Sequence, residues 1–430
     1  MPAITPMPPL ADGVGLPWDI AVDDAVAELA HARDAYGDTF VVDSGGDRYL
    51  FTFSAQGVES FYALPEAQAS KGVADFLMLR RKLPDEIFLG RRILPGGLFR
   101  RGDVATYLSN LDHALVETVT ELGDAGTVDV FALTRRLGHR MGLASWAGPG
   151  NDTGDNFERL VLAFDTLDGS DAFVHPDAMA AVAASGKKAE RAALADVGEV
   201  IGAALELHNG TESNDPDDSL FGRIAAAWAD EPDDVRRTGV AGDVALIHIA
   251  SMSNLAAALG WALVDLVGHP HERDLVAAGD RTLADRCALE STRLAQRSIM
   301  ARSVLEPVEF ADGTTTYRVD PGSTIATLLP LTNTSAGPGL TTWDPLRWDR
   351  HRLADTSGLA SAQLVTSFGH GKHSCPAQPF SLAAMSKALI HLLSTYHVVA
   401  QWTSYPIPVP AQIGGVARAA GPCPLAYRRA

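Results

Sequence analysis

The stretch Ser367-Phe368-Gly369-His370-Gly371-Lys372-His373-Ser374-Cys375-Pro376-Ala377-Gln378-Pro379-Phe380 sets one cysteine behind two glycines and ahead of a proline. The residues that follow, 381–393, alternate apolar and polar side chains at helical spacing. Cys375 therefore falls at or just before a helix N-terminus, where unpaired amide N–H groups and the helix dipole lower a thiol's pKa and favour the thiolate. A thiolate so placed can ligate a metal. Glycines let backbone N–H groups approach closely, and such hydrogen bonds tune a metal-bound sulfur. The competing reading is a buried free cysteine, the common state of a lone intracellular cysteine.

Phe368, Gly371, His373 and Cys375 resemble the haem-binding loop of the cytochrome P-450 superfamily, Phe-x-x-Gly-x-His/Arg-x-Cys-x-Gly. Ala377 stands where that pattern ends in glycine, a small residue at a close helix-to-haem contact. The resemblance implies haem b on the Cys375 thiolate, with Phe368, His373 and Ala377 beside it. It also implies a mainly α protein with a minor β region, one domain over residues 1–430. A lead and β region would fill 1–65, and a helical core 66–430 would carry the haem loop at 367–377.

Bulk properties narrow the partners. The 430 residues suit two or three average domains or one large helical unit around a cofactor, and 46% hydrophobic content supplies the core. Cys287, Cys375 and Cys423 are odd in number and far apart, which disfavours a disulfide framework and suits a reducing cytoplasm. The first ten residues lack the charged start and apolar run of a signal peptide. No stretch approaches the ~20 apolar residues of a membrane span, so a cytoplasmic chain with no membrane partner is expected. A net charge of −18 argues against nucleic acid. Arg80, Arg81, Lys82, Arg91, Arg92, Arg100 and Arg101 concentrate positive charge, either as a docking patch for an electron donor or as solvated charges plus cofactor contacts.

Along the chain, 23–36 reads as a helix stopped by Gly37, and 39–43 and 48–53 as strands around the turn Ser44-Gly45-Gly46-Asp47. This order resembles the family's N-terminal sheet region. Arg91 fits the family's propionate-facing arginine, although Ile87 stands where its Trp or His partner belongs. Residues 104–122 and 157–164 are helical in pattern, and 165–176 break it where the family roofs its substrate channel, with Phe173 or His175 as lining. The acidic run 209–218 reads as a solvated loop.

Residues 244–267 form a long, mostly apolar helical stretch, suited to the central helix that crosses the haem's open face. Here the chain departs from its relatives. In place of Ala/Gly-Gly-x-Asp/Glu-Thr it has Ala250-Ser251-Met252-Ser253-Asn254, so the acid becomes Ser253 and the threonine Asn254. These two are the candidate catalytic residues. Serine passes a proton without supplying one near neutral pH, and a carboxamide shuttles protons poorly. Protons would then come from ordered water or substrate, or the leaving group already sits on the substrate. The bland alternative is a pair of polar residues kinking a buried helix.

Glu290 and Arg293 share a helix face, and with Arg347 of Trp343-Asp344-Pro345-Leu346-Arg347-Trp348 they resemble the family's Glu-Arg-Arg network. Arg302 corresponds to an arginine that meets a haem propionate in soluble relatives. Residues 307–329 read as β-hairpins, and 413–418 resemble the last hairpin, whose tip enters the substrate site. Met78, Leu79, Phe173, Ile249, Ser298 and Ile299 are the remaining pocket candidates.

Three functions follow. The first is a monooxygenase-type oxidoreductase tailoring a small, largely apolar metabolite of secondary metabolism with electrons from a ferredoxin-type partner. The second is a haem-thiolate isomerase, dehydratase or nitrene- or oxo-transfer enzyme cleaving a substrate N–O or O–O bond without dioxygen or reductase. The third is a haem-binding protein without turnover.

Overall fold

A computed structural model describes residues 4–5, 7–89, 101–169, 171–210 and 219–430. After the two-residue strand β1 (Ile4–Thr5), helix α1 (Ala25–Tyr36) begins at Asp24, whose carboxylate accepts from the Val26 and Ala27 N–H groups, and stops at Gly37, φ +91°. The turn residues Gly45 and Gly46 both sit at positive φ and join β2 (Thr39–Ser44) to antiparallel β3 (Asp47–Thr52). This is the expected hairpin, made by the glycine pair. The first section ends with α2 (Ala55–Ala63), β4 (Ala69–Ser70) and α3 (Lys71–Arg80).

A helical section follows: α4 (Val104–Leu122), strand β5 (Ala125–Asp129), α5 (Val130–Trp146), α6 (Gly154–Leu167), α7 (Asp171–Val174), α8 (Pro176–Ala184), α9 (Lys188–Gly210), α10 (Leu220–Ala227), α11 (Asp233–Gly268), α12 (Pro270–Ala277) and α13 (Arg281–Ala295). The strands β6 (Ile299–Val304), β7 (Val308–Ala311), β8 (Thr316–Val319) and β9 (Ser323–Leu328) lead into α14 (Leu329–Ser335). Short β10 (Trp348–Asp349) and β11 (Arg352–Leu353) precede α15 (Gln378–Thr395), and β12 (Tyr396–Ala400) and β13 (Pro424–Arg429) close the chain.

The architecture is mainly helical with minor β regions. Its largest sheet has the order β2-β3-β9-β6-β4, with β3 parallel to β9. Strands from residues 299–328 thus complete the N-terminal hairpin, so the β region does not end near residue 65. A two-stranded ribbon leaves edges unpaired, and the distant strands cover one of them. Of the predicted acidic loop, 209 and 210 end α9 and 211–218 lie outside the described residues.

Helix α11 is the axis of the helical part and packs against α5, α9 and α13. Leu137, Leu160, Ile201, Leu263, Cys287 and Leu389, from six different helices, meet in one buried apolar cluster. Burying side chains of this kind stabilises by roughly 1.5–3 kcal/mol each. Gly260 makes one close approach possible, since a Cβ there would lie 2.8 Å from the Phe131 ring. The helix starts eleven residues earlier than its apolar pattern predicts, because Asp233, Asp234, Arg236 and Arg237 fill its first turns and carry no apolar signal. By length and composition α11 could cross a membrane, contrary to the sequence expectation, but 67% of its apolar window is buried inside the fold. The expected break after residue 164 is a short one: α6 runs to Leu167, and α7 and α8 follow at once.

Candidate functional site

The cysteine loop is shaped by its own backbone. Cys375 N–H donates to Phe368 O at 2.8 Å, His373 N–H to His370 O at 2.9 Å, and the Thr366 hydroxyl to Gly369 O at 3.1 Å. Gly369 has φ +79°, and a Cβ there would sit 2.5 Å from His373 O, so only glycine fits. Helix α15 begins three residues after Cys375, with Ala377 as its cap residue. The Gln378 N–H donates to Cys375 O at 3.2 Å, and the Ala377 and Gln378 amides face the sulfur closely enough to favour its thiolate. Burial nevertheless pushes the thiol's pKa up, with those amides and Lys71 acting the other way. The expectation of a lowered pKa therefore fails: desolvation outweighs the helix terminus, and a bound cation would have to supply the missing stabilisation.

Beneath the loop lies the expected three-residue network. Arg293 and Glu290, both fully buried, form a two-pronged pair at 2.7 and 2.9 Å. Arg347 Nε reaches Glu290 Oε1 at 3.2 Å, and Trp348 Nε1 donates to Glu290 Oε2 at 2.9 Å. Arg293 Nη1 continues to Asn333 O at 2.6 Å. The Asn333 side chain then holds the loop from both sides, accepting from Thr366 N–H at 2.8 Å and donating to Thr366 O at 2.9 Å. Ser367 Oγ donates to Leu289 O at 2.8 Å. Helix α13 and the cysteine loop are thereby fixed to each other by buried bonds, each worth about 1 kcal/mol net and more where charged.

Arg302 and His373 come together from strand β6 and the loop. The guanidinium is 1% exposed and donates to Ala69 O at 2.8 Å, to Glu66 at 3.3 Å and to His373 Nε2. Burial lowers the pKa of both groups, and Arg302 lowers that of His373 further. The carboxylate within reach, Glu66, is half exposed, so the charge compensation there is weak. A sulfur with two amides beside it, with an arginine and a histidine meeting each other, is a donor set that fits an iron porphyrin with propionate groups. Arg91 lies outside the described residues. Of the arginine-rich stretch, Lys82 is buried on Leu167 O at 3.0 Å, Arg80 pairs with Asp85 and Arg81 with Asp47, while Arg92 and Arg100 also lie outside the described residues.

On α11, Ile247, Ala250, Ser251 and Asn254 lie on one face, less buried than the rest of the helix's middle. Asn254 Oδ1 accepts from Val416 N–H at 2.8 Å, which commits the carboxamide oxygen to the last hairpin. Trp261 Nε1, donating to Ala417 O at 2.6 Å, anchors the same segment. Gln296 pairs with Val416 and donates to Ser367 O at 3.2 Å, linking hairpin, α13 and cysteine loop. Ser253 lies on the side of α11 nearer the end of α6, by Asp168.

The pocket candidates divide between two clusters. Met78, Phe173 and Ile299 pack together with Ile413 of the last hairpin, while Leu79 and Ile249 belong to the main helical core. Ser298 Oγ donates to Gln296 Oε1 at 2.8 Å. Sequence reasoning missed Asn333, Gln296, Trp348, Glu66 and Asp168. None sits in a recognisable spacing; each acquires its role through a long-range contact.

A mainly helical fold with small sheets, a cysteine loop at the head of a helix and a buried Glu-Arg-Arg network are cytochrome P-450-like. No family model matches the chain. It is similar to human 24-hydroxycholesterol 7-alpha-hydroxylase, 22% identical over 446 residues that cover 93% of this chain and 88% of the relative. That match supports the cytochrome P-450 superfamily and, with it, a haem-thiolate enzyme of the oxidoreductase, monooxygenase kind.

Proposed function

We propose that the protein is a haem b monooxygenase acting on a small, largely apolar metabolite of secondary metabolism, in the cytoplasm, with electrons from a ferredoxin-type donor. The observation that carries this is the buried network from Glu290 through Arg293 and Asn333 to Thr366, which holds the loop bearing Cys375. A lone structural cysteine needs no such scaffold. Cys375 would bind the iron, the Ala377 and Gln378 amides would stabilise charge on the sulfur, and Arg302, His373 and Arg91 would hold the propionates. When bound, the haem thiolate supplies reduction of dioxygen and insertion of one oxygen atom into substrate. Phe368 would pack beside the porphyrin and Ala377 would allow helix α15 to approach it.

The apolar pocket candidates Met78, Phe173, Ile299 and Ile413 favour an apolar substrate, as does the relative's name, a sterol hydroxylase. Arg281, Lys387 and His391, around a surface depression between α4 and α15, give an acidic electron donor a place to dock. The second reading, cleavage of a substrate N–O or O–O bond without dioxygen or reductase, is favoured by the Asn254 oxygen being spent on Val416. Single-turnover incubation of the haem-loaded protein with candidate metabolites separates the two. Product that needs both dioxygen and reduced ferredoxin supports the monooxygenase; product without either supports the second reading and removes the first.

A further inference from the structure

Between α2 and α3 the chain reads Glu66-Ala67-Gln68-Ala69-Ser70-Lys71-Gly72, a carboxylate four residues ahead of a serine that opens a helix. Ser70 Oγ accepts from Val73 N–H at 3.1 Å and so caps α3. Glu66 secures that cap, since its Oε1 accepts from the Ser70 hydroxyl at 2.6 Å and from Gly72 N–H at 3.1 Å. A carboxylate also suits the positive end of the helix dipole. The other oxygen, Oε2, lies 3.3 Å from Arg302 Nη2. One side chain thus holds the start of α3 and the arginine read above as a propionate partner.

Of the ten residues of α3 only Ala74 is buried, so packing holds this helix weakly and its ends decide where it lies. Met78 of the same helix packs with Phe173 and Ile299, and the position of α3 therefore shapes the apolar pocket. Arg302, 1% exposed, spreads its other contacts over Ala69 O, Phe61 O and the His373 ring. Glu66 is the carboxylate that meets it. Strand β4 runs beside β6, with Ala69 opposite Val304 and Ser70 opposite Ser303, so the cap of α3 and Arg302 share one ladder.

We infer that Glu66 is a positioning residue that sets the propionate seat and the pocket helix together. Through Oε2 it aims the Arg302 guanidinium, and through Oε1 it fixes the first turn of α3. The pocket wall that carries Met78 is assembled with the cofactor seat rather than apart from it. This coupling rests on Arg302 being a propionate partner, as read above.

The test uses the haem-loaded full chain, with amide hydrogen exchange over residues 71–80 and the rate of haem loss to an apoglobin scavenger as readouts. Glu66→Ala removes both arms: exchange at Gly72 and Val73 is expected to rise about fivefold and haem loss about threefold. Glu66→Gln keeps an oxygen for Ser70 and Gly72 but removes the charge, so haem loss rises while exchange stays near wild type. Ser70→Ala releases Glu66 from α3 without touching the Arg302 side chain; the coupling predicts faster exchange and faster haem loss together, whereas a serine that merely caps a helix changes exchange alone. Ser70→Ala with wild-type haem loss, or Glu66→Ala with both rates unchanged, overturns the coupling alone when the wild type shows thiolate-ligated haem. A wild type without that thiolate signature overturns the parent reading and the coupling with it.

Discussion

Replacing Glu290 by glutamine removes one negative charge while keeping the side chain's shape. Glu290 and Arg293 are both 0% exposed, so the change leaves a guanidinium buried without its counter-charge. Breaking such a pair costs about 3–5 kcal/mol, a third or more of the 5–15 kcal/mol (roughly) that stabilises a typical domain. Arg347 is 17% exposed and has two carbonyls to fall back on, so Arg347→Ala costs only about 1 kcal/mol. Equilibrium urea unfolding, followed by far-ultraviolet circular dichroism and by fluorescence of Trp343 and Trp348, measures both. The double variant Glu290→Gln/Arg293→Met is expected to cost less than the sum of its single changes, because no orphaned charge remains. A loss below about 1 kcal/mol for Glu290→Gln, or strict additivity, refutes the network as the lock beneath the loop.

Asp265, buried and bonded to Tyr405, has its pKa raised to about 6 by burial. Because the folded value is the higher one, the native state keeps the proton longer than the unfolded chain, and stability falls as pH rises from about 4 to about 6, by at most about 3 kcal/mol. Asp265→Asn removes that slope in a melting-temperature series, and an unchanged slope contradicts the assignment. Asn254→Ala frees the Val416 N–H, so it speeds hydrogen exchange at that amide and costs about 1 kcal/mol; unchanged exchange means the carboxamide does not anchor the hairpin. Lys82→Met strands Glu190, which is 6% exposed and 3.8 Å from Nζ, at a cost of about 3 kcal/mol that Glu190→Gln partly restores. Thermal melts showing no such rescue refute the pairing.

Local signals carried far in this chain. The glycine turn at Gly45-Gly46 and the helix over residues 104–122 follow from spacing and propensity alone, and both stand as read. Helix spacing put Glu290 and Arg293 on one face, and the family resemblance implied Arg347 as their third member; the contacts among the three are present. Long-range pairing is where sequence went silent. Nothing near residues 39–53 announces that β9, more than two hundred residues later, completes their sheet. Asp168 looked like one polar residue of a loop, and only the packing of α5 against the end of α6 brings Arg135 to it. The thiol pKa was misread for a related reason: a helix N-terminus is visible in sequence, whereas the burial that outweighs it is a property of the packed loop.

Everything proposed for the cysteine loop turns on the Cys375 sulfur binding the iron of a haem. The direct measurement is the absorption spectrum of the reduced, carbonyl-bound protein, wild type beside Cys375→Ala. Sulfur ligation gives the red-shifted Soret band in the wild type and its loss in the variant. A colourless wild type, or a variant that keeps the same band, contradicts it.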